Sequence, residues 1–203
     1  MPTVDKKKRE ISLRVVYHGP GLAGKTTNLH YVFERTKPDA KTNFLSVMTS
    51  ASRTLSFDFV PKSIAPIDGN TVRIELITTP GPLYRDPARR LVLAGADGVV
   101  FVADSQRERI EANEDSMEEL LGHLESHGVS VGALPIAVQF NKRDLPNASP
   151  VADLAPRLNP HGWPQFEAIA RTGVGVFDTL KAVAKEMLTE VKARHLGGRP
   201  YRD

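Results

Sequence analysis

The run HGPGLAGKTTN at 18–28 constrains this chain more than any other stretch. It holds Gly-x-x-x-x-Gly-Lys-Thr as Gly19, Gly24, Lys25 and Thr26, with an alternating apolar run before it (ISLRVVYHG, 11–19) and helical spacing after it (TTNLHYVFERT, 26–36). A strand that enters a helix through a glycine-rich loop curls successive backbone N–H groups around an anion, because no Cβ blocks the approach. The helix adds the positive end of its dipole to the same place. The backbone of Gly19, Gly21, Leu22, Ala23, Gly24 and Thr27 is thereby assigned to a phosphate cradle. Lys25 supplies a point charge to the outer phosphates, and the Thr26 hydroxyl reaches magnesium.

The rest of the chain alternates in the same manner. RTLSFDFVP (53–61) sets Leu55, Phe57 and Phe59 against Ser56 and Asp58, the period of a half-buried strand, and TVRIELITT (71–79) follows the Asp68-Gly69-Asn70 turn as its hairpin partner. DGVVFVAD (97–104) and PIAVQFN (135–141) are continuous apolar runs, the mark of parallel strands buried on both faces. Between them a helix carries Ile110, Met117, Leu120, Leu121 and Leu124, with Gly128 as its stop. QFEAIA (165–170) reads as a last short strand, and VFDTLKAVAKEMLTEVKARHL as a closing amphipathic helix. Strands separated by helices predict an α/β fold, a mostly parallel six-stranded sheet with one antiparallel edge strand and helices on both faces. Residues 37–52 are the least patterned internal stretch and suit a mobile loop.

With 203 residues, 40% hydrophobic and 25% charged, one domain is expected. Its organisation reads as a basic arm over 1–9, a nucleotide-binding domain over 10–194 and a tail over 195–203. No apolar run is long enough for a transmembrane helix, and MPTVDKKKRE lacks the apolar core of a secretory signal. The chain has no cysteine, which excludes disulfides, thiolate metal sites and prenyl or palmitoyl anchors. These features suggest a cytoplasmic protein. Basic residues gather at Lys6, Lys7, Lys8 and Arg9 and again in the tail, where they read as solvated charge or a peripheral contact with anionic lipid. No aromatics are interleaved with them, so no nucleic-acid partner is expected.

A phosphate loop alone does not name the base. FNKRD (140–144) ends a buried strand as Asn-Lys-x-Asp, giving Asn141, Lys142 and Asp144. A carboxylate at Asp144 accepts two hydrogen bonds from guanine N1–H and N2–H₂, a donor pair that adenine lacks. Asn141 braces the loop or accepts at the base, and Lys142 lays its stem along the ring. EAIARTGVGVF (167–177) supplies the third base-side element, with the Ala170 backbone N–H aimed at guanine O6 and Arg171 beside it. An ATP-using P-loop kinase or ATPase would require Asp144 to be irrelevant.

Together, PGLAGKTTN, RTLSFDFVP, ADGVVFVADS, NKRDLPNA and TGVGVFDTLKAVAK are specific enough that the chain resembles the bacterial gliding-motility (MglA-type) small GTPases of the Ras-like superfamily, from about residue 10 to 192. The resemblance implies a P-loop, Ras-like fold and a GTP-dependent polarity switch for motility complexes, turned off with a Roadblock/LC7-type activating protein and read by a downstream motility or polarity effector. It implies recruitment to a cell pole or membrane-associated complex. It also makes RTLSFDFVP the first switch region, with Thr54 the γ-phosphate and magnesium sensor and Arg53 an arginine finger in cis. Such a finger contributes about 10³–10⁵ in rate. Phe57 and Phe59 beside it read as core or as a partner-docking edge.

LITTPGPLYRD (76–86) is where the resemblance meets a departure. Thr78 stands at the magnesium-side Asp of the Ras pattern, in agreement with the family. Gly81 is kept and offers its N–H to the γ-phosphate, whereas Pro82 replaces the water-orienting Gln. Proline has no side-chain amide and no N–H. Two readings follow: a slow GTPase in which Arg53, Lys25 and Gly81 carry the chemistry, or a GTP-loaded binding module that has lost hydrolysis. Tyr84 and Arg85 are the nearby candidates to take over the water.

Overall fold

A computed structural model describes residues 2–42, 45–48, 53–80 and 87–196; the side chains of 46–48, 53–54 and 194–196 lie outside that description. The strands are β1 (Thr3–Asp5), β2 (Glu10–His18), β3 (Leu45–Met48), β4 (Arg53–Phe59), β5 (Thr71–Thr78), β6 (Gly98–Asp104), β7 (Ile136–Asn141) and β8 (Gln165–Glu167). The helices are α1 (Lys25–Arg35), α2 (Pro87–Ala94), α3 (Ile110–Ser126), α4 (Val151–Leu158) and α5 (Val176–Leu196). The sheet runs β3-β4-β5-β2-β6-β7-β8, with β1 on β2. The expected six-stranded Ras-like sheet is present as β4-β5-β2-β6-β7-β8, with β4 antiparallel to β5 and the other pairs parallel.

Two short strands extend it. β3 pairs antiparallel with β4, Val47 opposite Thr54, so part of the stretch read as a loop over 37–52 is a strand. Its four residues are too few to display a period; the free edge of β4 supplies the pairing that local pattern does not. β1 pairs antiparallel with β2, so the basic arm is anchored by its backbone, while Lys6, Lys7, Lys8 and Arg9 at the connecting turn stay exposed.

Alternation along the buried strands divides the core. Val100 and Val102 of β6 join Leu13, Val15 and Tyr17 of β2 beneath α1 and α5. Val99, Phe101 and Ala103 face the opposite way, against Leu93, Leu120, Leu124, Leu154 and Leu158 of α2, α3 and α4. Each such side chain removed from water contributes about 1.5–3 kcal/mol, which explains why β6 and β7 carry no polar-out face. Phe57 and Phe59 are buried in the α1 layer, Phe57 edge-on to Phe33 at 5.2 Å between ring centroids. Phe57 is core throughout, and Phe59, though also buried, borders the open groove beside α5.

Helix ends follow local chemistry. α3 stops at Gly128, whose φ of +65° lets its N–H reach Glu125 O at 2.9 Å and the Val129 N–H reach Leu124 O at 2.9 Å. The parallel strands all point their C-terminal ends to one edge, so the loops after β2, β6, β7 and β8 converge there.

Candidate nucleotide site

The loop after β2 is held open by its glycines. A Cβ on Gly19 would overlap the Val102 carbonyl of β6, and one on Gly24 (φ +105°) would overlap Asn141 Nδ2. Leu22 adopts a φ of +65° with its side chain 89% exposed, so a non-glycine residue is held in the left-handed region. That geometry costs about 1–2 kcal/mol and turns the loop's N–H groups inward.

Lys25 is the first residue of α1 and is buried. Its Nζ donates to Gly19 O and Pro20 O, both at 2.7 Å. Burial, and secondarily the Arg89 guanidinium, pull its ammonium down to about 7, with Glu119 opposing. Arg89 itself is paired with Glu119 at 2.7 Å. Thr26 is half-buried in the first helical turn and Thr27 is exposed.

At the base end, Asn141 is the junction. Its Nδ2 donates to Ala23 O at 2.7 Å, and its Oδ1 accepts from the Ala170 N–H at 2.9 Å. One amide therefore ties the phosphate loop to the 168–171 loop. The Ala170 N–H, expected to aim at guanine O6, is taken by Asn141 because that buried oxygen needs a donor. Asp144 accepts from Arg171 Nη2 at 3.1 Å. Lys142, at φ +65°, places its Nζ 2.6 Å from the buried Asp104 Oδ2. Leu22, Gly24 and Thr27 form one wall of a cleft of about 420 Å³, and Asn141, Lys142, Asp144 and Arg171 the other. Three loops far apart in sequence thus meet.

Several contributors escaped sequence reading. Arg109 Nη2 donates to Gly21 O at 2.9 Å, with its Nε 3.8 Å from Asp104 Oδ2. Asp104 therefore serves Lys142 and Arg109 together; its only sequence signal was a carboxylate ending an apolar strand. His18, fully buried before the loop, touches Thr79 Oγ1 at 3.2 Å and Ser116 O at 3.0 Å. Burial, then Arg89 and Lys25, hold its imidazole well below the usual histidine range, so it is neutral.

Thr78 ends β5, where the ladder's last pair is Ser56 with Ile77. One step further the Thr78 hydroxyl accepts from the Leu55 N–H at 3.0 Å, replacing a ladder bond with a side-chain bond. Arg53 and Thr54 open β4, and their side chains lie outside the described residues, as do Gly81, Pro82, Tyr84 and Arg85 altogether. Among the described residues no group of three or more His, Cys, Asp or Glu gathers as a metal cluster, and no helix is long and apolar enough to cross a membrane.

No protein-family profile matches the chain. The mutual gliding-motility protein MglA of Myxococcus xanthus (strain DK1622) is 50% identical to it over 192 residues, covering 95% of this chain and 98% of that one. Identity of that extent, over a Ras-like sheet with the loops of a P-loop protein at its C-terminal edge, means that the chain belongs to the MglA-type gliding-motility family.

Proposed function

We propose that the chain is a guanine-nucleotide switch that binds Mg-GTP and hydrolyses it slowly, with a Roadblock-type activating partner, to control cell polarity and gliding motility. The observation that carries this reading is the Asn141 crosslink between the phosphate loop and the 168–171 loop, with Asp144 on the same cleft wall. Support for guanine comes from Asp144, a carboxylate that can exchange its Arg171 partner for the N1–H and N2–H₂ donors. Among the described residues two carbonyls lie against the Lys25 ammonium, a partnership that phosphate oxygens improve on. Magnesium suits the half-buried Thr26 hydroxyl in the first turn of α1, with Thr54 proposed as its second hydroxyl, since magnesium prefers a few hard oxygens beside phosphate and water. When bound, the ion neutralises charge on the outer phosphates.

In this reading Arg53 neutralises charge in the transition state and Gly81 senses the γ-phosphate, with the protein acting in the cytoplasm at a pole or a membrane-associated complex. Pro82 favours a second reading, a GTP-loaded binding module without hydrolysis. A single-turnover assay on protein preloaded with magnesium and GTP, alone and with a Roadblock-type protein, separates them. Conversion to GDP that accelerates with the partner is expected. GTP left intact for hours in both samples supports the binding module, and failure to retain GTP over ATP rejects both.

A further inference from the structure

We infer that the end of the molecule remote from the nucleotide cleft is a docking face for an anionic phospholipid membrane. The inference begins with a groove of about 730 Å³ between the end of α1, the β4–β5 connection and α5. Phe177, Leu180, Ala184 and Leu188 of α5 form one wall and Phe59 and Ile64 the other. From Phe177 to Leu188 the helix advances about 17 Å, so the groove is an apolar trough rather than a dimple. Around it stand Arg35, Lys37, Lys62, Lys181, Lys185 and Lys192, all exposed, and no Asp or Glu lines it. Asp39, just outside, holds Lys62 at 2.7 Å, and the rim remains strongly positive.

Charge identifies the occupant as an anion with an apolar portion. The chain's own segments outside the described residues do not answer that description: the tail GGRPYRD carries two arginines against one aspartate. A membrane is favoured over an acidic peptide because the positive charge is not confined to the groove. The turn Lys6–Arg9 projects four more exposed cations at the same end of the sheet, where the Thr71 N–H that opens β5 donates to Arg9 O at 2.8 Å. A peptide lying in the trough would leave that turn unused, whereas a planar array of phosphates engages turn, rim and helix together, each near-surface cation adding to the attraction. Half-buried side chains such as Phe177 and Leu188 then meet the glycerol and upper acyl region. β2 separates the Lys6–Arg9 turn from the nucleotide loop by about 30 Å, so docking leaves the cleft facing solvent, while Phe59, Val60 and Pro61 join the groove to the stretch read as the first switch region.

The test is vesicle co-sedimentation of the full chain loaded with GDP. Vesicles of phosphatidylcholine with about a third phosphatidylglycerol are compared with pure phosphatidylcholine. Binding to the anionic vesicles alone is expected, falling steeply with salt and reduced about 100-fold in the triple variant Lys181→Glu, Lys185→Glu, Lys192→Glu. Retained GDP binding by that variant, which alters only exposed side chains, confirms its fold. Three results would each overturn the inference: no binding to anionic vesicles, equal binding to neutral ones, or an undiminished triple variant. A fourth does so in favour of an acidic protein partner: a leucine–glutamate amphipathic peptide that binds the wild type and not the variant while vesicles bind neither.

Discussion

On one side of the cleft Asn141, Lys142 and Asp144 each hold a side-chain or backbone partner within the protein, whereas at the loop after β2 Lys25 is a buried cation leaning on two backbone carbonyls. The first arrangement is neutralised: Asp104 carries the charge of Lys142, and Asp144 that of Arg171. The second is destabilised, since burial and Arg89 disfavour the ammonium. In the nucleotide-switch reading, the first side would serve as the template for a base and the second would be relieved by an anion. That reading assigns selectivity to the first and the response to phosphate to the second.

The largest effect should come from attacking the template. Asp144→Ala is expected to lower the preference for GTP over ATP by about 10³-fold in competition binding, since a site built around a specific donor pair rejects analogues strongly. Survival of the preference would move base recognition elsewhere. Pro82→Gln tests hydrolysis instead; with a Roadblock-type partner present it should raise the single-turnover rate by about 10²-fold, within the usual contribution of a catalytic group. An unchanged rate would mean that another group already orients the water.

The phosphate end carries a pH signature. Phosphate raises the Lys25 ammonium back from about 7, so the complex takes up a proton above that pH. Affinity for GDP should then fall about tenfold per unit as pH rises from 7 towards the lysine's ordinary range, flattening in Lys25→Arg. The sign for unliganded stability is opposite: the folded chain binds fewer protons than the unfolded one between about 7 and 10.5, so stability rises with pH there. The smallest effect is expected at Thr78→Val, which strips the acceptor from the Leu55 N–H and should cost about 1 kcal/mol in denaturant unfolding, leaving base preference intact.

Much of this architecture could be read from residues because its determinants are local. Gly19, Gly24, Lys25 and Thr26 lie within eight consecutive residues, and the apolar runs of β6 and β7 announce strands covered on both faces. α2 and α4 were not read. Each has eight residues, α4 contains Pro156, and α2 begins directly after the unpatterned GPLYRD. In the cleft, the Asn-Lys-x-Asp run named three side chains, yet the destination of Lys142 was not legible, because Asp104 is 38 residues away. Arg109 lies 88 residues from Gly21, and no pattern in one sequence links them. The Ala170 N–H shows the same limit, since its partner was chosen by the way two loops pack.

The Asn141 amide has a mechanical consequence. It is a planar link hydrogen-bonded to Ala23 on one side and Ala170 on the other. The two loops therefore behave as the jaws of one clamp with a shared pivot. In the nucleotide-switch reading, base and phosphates would be loosened together, because prising either jaw strains the same amide's hydrogen bond to the other. In that reading, a pull on one side of the cleft is felt at the other.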